Sequence, residues 1–352
     1  MMPALDRLPG VRDLVSRGDY FVVHAPRQTG KTTALQALVS EINAKGDMFA
    51  LYCTLESLQN RSDPMQTNYA IRDLVADNVE MSPFYKAVSG APELREERGG
   101  IGLAVRTVLQ NVCRAIDKPV VVFFDEADCL VGDALISFLR QLRDGYVNRK
   151  MIPFPKSIAL VGMLDVRDYK AQIRPDGQSL GQISPFNIIA EDMLIPNFTE
   201  SDIAALYAQH TAETGQRFAD GVVEAVWRWT RGQPWLVNAI ANDCVAKIHG
   251  NRFDETITVE DVEAAKEAII RKNSVHLDYL FDMANSQWIK PFVDAGFQGK
   301  LDVEQRNEKA YKVLSGLGLF RDVDGMLEFT NPLYENYWKK MTSSEALFTN
   351  DN

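Results

Sequence analysis

The sequence predicts an α/β fold, a parallel sheet buried on both faces, followed by smaller and mostly helical regions. Three observations carry this. An apolar run, Tyr20-Phe21-Val22-Val23, passes through Ala25-Pro26-Arg27-Gln28-Thr29-Gly30-Lys31-Thr32 into a helical pattern, Thr33-Ala34-Leu35-Gln36-Ala37-Leu38-Val39. A second apolar run, Val120-Val121-Val122-Phe123-Phe124, ends in Asp125-Glu126. A continuous apolar run of strand length is the mark of a strand covered on both faces. After Pro196 the texture changes to capped amphipathic helices.

The first segment has the order strand, loop, helix. That order, with Gly30-Lys31-Thr32 at the turn, fits the phosphates of a nucleoside triphosphate. Backbone N–H groups of the loop and the helix N-terminus supply positive potential. Lys31 then reaches the β- and γ-phosphates, and the Thr32 hydroxyl ligates Mg²⁺. The pattern G-x-x-x-x-G-K-[ST] is met except at its first position, where Ala25 stands. Ala25 is small and precedes Pro26, which favours extended backbone there. The expected nucleotide-binding set is Ala25, Pro26, Arg27, Gln28, Thr29, Gly30, Lys31, Thr32 and Thr33.

Carboxylates at the C-terminal end of a buried parallel strand lie where open α/β sheets bind ligands. Asp125 is therefore the second expected metal residue beside Thr32, and Glu126 the residue that orients the attacking water. With Lys31 they form the expected catalytic set, since phosphoryl transfer depends on positioning and charge neutralisation.

The remaining elements follow in order. Met48 to Leu55 reads as a second strand. Residues 58–98 are polar and mixed, helical with a loop at Ala91–Gly100. Leu103 to Ile116 is an amphipathic helix, and Asp117-Lys118-Pro119 turns the chain into the acidic strand. Asp133 to Val147 places Leu135, Phe138, Leu139 and Leu142 on one helical face. Ser157 to Met163 is a further buried strand, with Asp165 and Arg167 just past its end. Two readings of Arg167 stand, a sensor of the γ-phosphate or an ordinary loop arginine. Arg174 follows in a turn-rich loop, and Ile188 to Pro196 supplies the last strand.

Thr199-Glu200-Ser201-Asp202 is a capping-box signature for a helix to Thr214. Asp220 to Trp229 is a second helix, stopped by Arg231-Gly232. Pro234 opens a third, Trp235 to Ile248, as proline suits the first helical turn. Thr258-Val259-Glu260-Asp261 caps a fourth, to Lys272. Beyond residue 274, two helices precede Gly316 to Arg321, a turn at Asp324-Gly325, and Met326 to Phe329. Helix, helix and β-ribbon spell a winged helix.

Composition narrows the function classes. The 352 residues carry a net charge of −10, which disfavours a general nucleic-acid surface. The four cysteines, Cys53, Cys113, Cys129 and Cys244, show no C-x-x-C spacing, so reduced thiols in a cytoplasmic protein are expected. The four histidines, His24, His210, His249 and His276, have no zinc-ligand spacing. No apolar run is long enough to span a membrane.

Together these motifs resemble the prokaryotic AAA-like P-loop ATPases related to the archaeal ATPase and STAND clans of the AAA+ superfamily. The carrying residues are 25–32, Phe124-Asp125-Glu126, Ser184-Pro185-Phe186-Asn187, Arg231-Gly232-Gln233-Pro234 and Asn331-Pro332-Leu333-Tyr334. The resemblance implies a P-loop NTPase core of the ASCE/AAA+ kind at 1–196, a helical lid at 197–273, a winged-helix domain at 274–342 and a tail at 343–352. It implies ATP and Mg²⁺ as cofactors. It places Gly232, Gln233 and Pro234 near the adenine, with a plain helix junction that makes no ligand contact as the less favoured reading. STAND relatives are switches, and this chain shows no effector segment, so the expected output is a separate partner protein. A prokaryotic defence or toxin module is the implied setting. Arg174 is expected to reach a neighbouring subunit's γ-phosphate, which would require self-association.

Asp125-Glu126-Ala127-Asp128 invites a DEAD-box helicase reading, but the region after Pro196 lacks the second RecA-like domain this needs. The serious alternative is an AAA+ DNA-binding loader or transposition-type regulator using the winged helix. Its recognition helix would be Asn307 to Leu317, with Lys309 and Lys312 but also Glu308. Residues 285–345 carry eight basic and nine acidic residues. Phosphate contacts dominate DNA affinity, so this balance favours a protein partner.

Overall fold

The computed structural model describes residues 7–59, 61, 63–86, 93–96, 102–163, 188–272, 274–302 and 309–349. The chain forms two compact units. One holds residues 7–25 and 31–195, and the other holds residues 196–349 with the loop Pro26–Gly30.

The first unit is built on five parallel strands: β1 (Tyr20–His24), β2 (Phe49–Thr54), β3 (Val120–Asp125), β4 (Ser157–Gly162) and β5 (Ile189–Leu194). Their order is β2-β3-β4-β1-β5. β3 and β4 are buried along their whole length, whereas the edge strand β5 is mostly open. The two faces follow the alternation of side chains along a strand. Tyr20, Val22, Leu51, Val122 and Phe124 enter one core with α3 (Pro64–Glu80), α5 (Ala104–Ala115) and α6 (Gly132–Asn148). Phe124 meets Phe138 of α6 edge to face at 5.2 Å. Phe21, Val23, Ala50, Val121 and Phe123 enter the other core with α1 (Val11–Arg17) and α2 (Lys31–Lys45). α2 buries Ala34, Leu35, Leu38 and Ile42, one stripe of an amphipathic helix. The short α4 (Pro83–Lys86) completes the described helices of this unit.

α1 was not legible in the sequence. It is only two turns long, and it ends on Gly18, whose positive φ of 78° lets its N–H return to Leu14 O and Val15 O.

The second unit begins with α7 (Glu200–Thr214), closed by the expected capping box. Asp202 N donates to Thr199 Oγ1 at 3.1 Å, and Thr199 N to Asp202 Oδ2 at 2.7 Å. α8 (Val222–Thr230) and α9 (Pro234–Asn242) follow. The predicted third helix does not stay α-helical to its end, because Asp243–Ile248 is wound as a π-helix. α10 (Val259–Arg271) carries the second capping box, Thr258 with Asp261.

α11 (Val275–Asn285), α12 (Lys290–Phe297) and α13 (Lys309–Leu317) precede a two-stranded antiparallel ribbon, β6 (Phe320–Val323) and β7 (Met326–Phe329). This is the winged-helix arrangement, and α14 (Pro332–Thr349) closes it. Asp324 and Gly325 both take positive φ, 55° and 94°, as a two-residue hairpin turn requires. One apolar cluster runs from Ile203 of α7 to Tyr337 of α14.

The four cysteines are free thiols, with Cys53 and Cys244 buried. Among the described residues no helix is long and apolar enough to cross a membrane, and no cluster of His, Cys, Asp or Glu forms a metal cage.

Candidate nucleotide site

The site lies at the C-terminal ends of β1 and β3, which β4 separates in the sheet. Such a reversal of strand order leaves a crevice outside the strand ends. β1 feeds the loop, and the loop opens α2 at Lys31. Ala25 is fully buried in the sheet core, and its N–H donates to Gly162 O at 3.2 Å. The small side chain at this departure from the motif is thus accommodated by packing. Gln28 and Gly30 curl the loop with φ of 59° and 87°. Glycine takes that conformation without strain, and a long side chain such as Gln28 does so at a cost. Thr29 is buried, and its hydroxyl donates to Pro26 O at 2.8 Å. Arg27, Gln28, Thr32 and Thr33 are exposed, and Pro26 and Gly30 are half-buried.

Lys31 is buried at 6% exposure and donates from Nζ to Ala25 O at 2.9 Å. Its ammonium therefore lies back along its own loop. Thr32 Oγ1 donates to Asp125 Oδ2 at 2.7 Å, which ties the first turn of α2 to the end of β3. Asp125 is 1% exposed. Its other oxygen, Oδ1, accepts from Glu126 N at 2.9 Å. Glu126 turns out of the strand with φ of 55° and opens a 3₁₀ turn, Ala127–Cys129. The structure thus brings Lys31, Thr32, Asp125 and Glu126 to one end of the sheet.

Two polar residues that sequence reasoning did not place in the site also lie here. Tyr52 of β2 donates its hydroxyl to Asp125 Oδ2 at 2.8 Å. Burial first, and the neighbouring Asp125 second, raise its phenol well above the ordinary range. Asp128 accepts from Met163 N at 3.0 Å, which ties the 3₁₀ turn to the end of β4. Its second oxygen is buried without a hydrogen-bond partner. Burial raises the Asp128 carboxyl above its usual value, and the nearby Lys31 charge opposes that rise. The signal for Tyr52 was its place near the polar end of β2. The signal for Asp128 was the second acid in Asp125-Glu126-Ala127-Asp128.

In the second unit, Arg231 and Gly232 take positive φ, 46° and 74°, between α8 and α9. A Cβ on Gly232 would fall 1.8 Å from Phe198 O, so only glycine fits this approach. Gln233 caps α9 by accepting Leu236 N at 2.7 Å, and Pro234 is its buried first residue. Arg167, Arg174, Asp165 and Ser184–Asn187 lie outside the described residues, as do Asn307 and Glu308 of the predicted recognition helix.

No family model matches this chain, and no curated protein matches its sequence. Among solved structures, the Walker-type ATPase of Pyrococcus abyssi is similar at a TM-score of 0.58 and 15% identity, over 96% of this chain and 96% of that one. Cdc6p of Pyrobaculum aerophilum is similar at 0.49 and 14%, over 97% and 84%. The RuvB Holliday junction branch migration motor of Thermotoga maritima is similar at 0.47 and 12%, over 96% and 92%. The first likeness, spanning both chains almost entirely, agrees with the strand order and the loop geometry: this chain has the fold of that Walker-type ATPase.

Proposed function

We propose that this chain binds ATP with Mg²⁺, hydrolyses it, and uses the nucleotide state to switch a separate partner protein. The Thr32–Asp125 hydrogen bond carries the first part of the reading. It sets a hydroxyl and a buried carboxylate side by side next to a lysine and a helix N-terminus. Both are hard oxygen donors. Such a pair suits a cation that keeps its waters and shares phosphate oxygens, as Mg²⁺ does. When bound, Mg²⁺ supplies charge neutralisation on the phosphates.

The chain's own residues do the rest. The first N–H groups of α2 point at the phosphates. Lys31 exchanges Ala25 O for phosphate oxygens. Thr32 keeps its proton on Asp125 and offers its lone pairs outward. Glu126, just past the strand, orients a water for attack on the γ-phosphorus and accepts its proton. Arg167 is proposed to sense the γ-phosphate. Arg174 is proposed to complete the site of a neighbouring copy, which would make hydrolysis per chain rise with protein concentration.

The switch reading rests on the resemblance to STAND ATPases, with 197–273 as lid and 274–342 as winged helix. In it Gly232, Gln233 and Pro234 sense the adenine. A ligand shifts a conformational equilibrium only through different affinity for the two states, so the lid must contact nucleotide for the switch to work. The balanced charge of residues 285–345 supports a protein partner over DNA.

Calorimetry on Lys31→Ala tests the nucleotide assignment. The wild-type chain binds ATP, and the variant folds but does not bind. Unchanged ATP affinity in the variant would overturn the reading.

A further inference from the structure

We infer that Tyr52 is a positioning residue for the metal of the proposed nucleotide site, acting through Asp125. The inference rests on the ATP–Mg²⁺ reading and adds to it a residue from a third element, the edge strand β2.

The register of the sheet explains how Tyr52 reaches the site. Thr54 pairs with Asp125 and Tyr52 with Phe123. Tyr52 therefore shares the α2 side of the sheet with Asp125, one rung back on the neighbouring strand. A diagonal pair on one face is within reach of an aromatic side chain. The ring packs against the apolar core on that side, and only the hydroxyl meets Asp125.

Asp125 thereby receives three donors. Oδ2 takes Thr32 Oγ1 at 2.7 Å and Tyr52 OH at 2.8 Å, and Oδ1 takes Glu126 N at 2.9 Å. Two of the three belong to groups with other work to do. Thr32 is itself an expected metal residue, and Glu126 belongs to the turn that carries the proposed catalytic carboxylate. Tyr52 is the donor with no other assigned role. It holds the carboxylate plane while Thr32 adjusts to metal and while Glu126 adjusts to water. Preorganising an acceptor in this way lowers the reorganisation that binding requires.

The affinity of the metal for the protein–nucleotide complex measures this role directly. Mn²⁺ is titrated into wild-type and Tyr52→Phe protein with ADP, and free Mn²⁺ is followed by electron paramagnetic resonance. The expected result is an Mn²⁺ affinity weakened about tenfold, the loss of one hydrogen bond to a charged acceptor. ADP affinity in chelator stays unchanged. In an Asp125→Ala background the same Tyr52→Phe change has little effect, because the acceptor of its hydroxyl is gone. Unchanged Mn²⁺ affinity overturns the inference, and so does an equal loss of ADP affinity in chelator. Urea unfolding of the four proteins of this cycle without ligand reads the Tyr52–Asp125 coupling by itself, and additive effects there also overturn it. If wild-type protein binds no nucleotide, the functional reading fails and takes this inference with it. If wild type binds and Tyr52→Phe is silent, only the inference fails.

Discussion

Thr32 Oγ1 donates a 2.7 Å hydrogen bond to Asp125 Oδ2, joining residues 93 positions apart in the chain. The bond fixes two things together. It holds the first turn of α2 against the end of β3, and it commits the hydroxyl proton to the carboxylate. The lone pairs of Thr32 are then turned away from Asp125, and a cation placed there meets an oxygen that has no proton to displace. A buried carboxylate is costly unless its oxygens are matched by donors, and Asp125 has donors on both.

The first prediction separates this bond from simple packing. Thr32→Ser keeps the hydroxyl, and Thr32→Val keeps the shape without it. With Mg²⁺ present, ATP affinity should stay near wild type in the serine variant. It should fall at least about tenfold in the valine variant, which loses the proposed metal ligand and a charge-assisted bond. In chelator the two variants should bind alike. Calorimetry with and without Mg²⁺ gives the comparison, and a valine variant with wild-type Mg²⁺ dependence would remove Thr32 from the metal site.

A second prediction concerns Glu126, which leaves the strand with φ of 55° and carries its carboxylate beyond Asp125. Glu126→Gln preserves length and hydrogen bonding but accepts no proton. ATP binding should persist while turnover falls on the order of a hundredfold, the range for a positioned general base. Steady-state phosphate release together with nucleotide binding decides this. Wild-type turnover would assign the base elsewhere.

Local chemistry made much of this molecule legible in advance. The loop after β1 and the acids after β3 follow apolar runs that only a buried parallel strand explains. The capping boxes at Thr199–Asp202 and Thr258–Asp261 are three-residue relationships, and both form. The Asp324-Gly325 turn follows from the ability of its residues to take positive φ. What was not legible depends on registers and on backbone choices that leave no periodic trace. Tyr52 meets Asp125 because β2 pairs with β3 in one register, and a one-residue slip would turn its ring to the opposite face. Asp128 meets Met163 because the chain after Glu126 winds into a 3₁₀ turn. The π-turn at Asp243–Ile248 lies in a run whose composition differs little from an α-helix.

A third prediction tests the junction between α8 and α9. Gly232 has φ of 74°, and a Cβ there would sit 1.8 Å from Phe198 O. Gly232 O in turn accepts Phe198 N at 2.8 Å, so the two segments are held backbone to backbone. Gly232→Ala must break this pairing or leave the left-handed region, where an alanine already costs about 1 kcal/mol. The expected destabilisation exceeds about 2 kcal/mol, read from urea unfolding. Arg231→Gly, which relieves a positive φ of 46° without touching that pairing, should stabilise the same junction.

The last prediction concerns Asp128, whose carboxyl is held above its usual pKa by burial. The sign follows from linkage. With the folded value raised, the native state binds the proton more tightly than the unfolded chain does. Stability therefore falls as pH rises from the unfolded value near 3.8 through the raised folded one. Where Asp128 is ionised, its buried charge is a cost, offset in part by the Met163 N–H and by the Lys31 charge nearby. Asp128→Asn keeps an acceptor for Met163 N and removes the charge. Its stability relative to wild type should rise as pH is taken from below that window to neutrality. Asp128→Ala leaves the Met163 N–H without its acceptor and should lose about 1–3 kcal/mol at neutral pH, the cost of an unsatisfied buried donor. The asparagine variant also frees Lys31 of a neighbouring negative charge, so ATP affinity should tighten about several-fold. Urea unfolding across pH, paired with calorimetry at neutral pH, separates the two effects. A wild-type minus asparagine difference that stays flat with pH would show that Asp128 does not carry its charge into the fold as proposed. Weakened ATP binding in the asparagine variant would instead make its charge part of what positions Lys31.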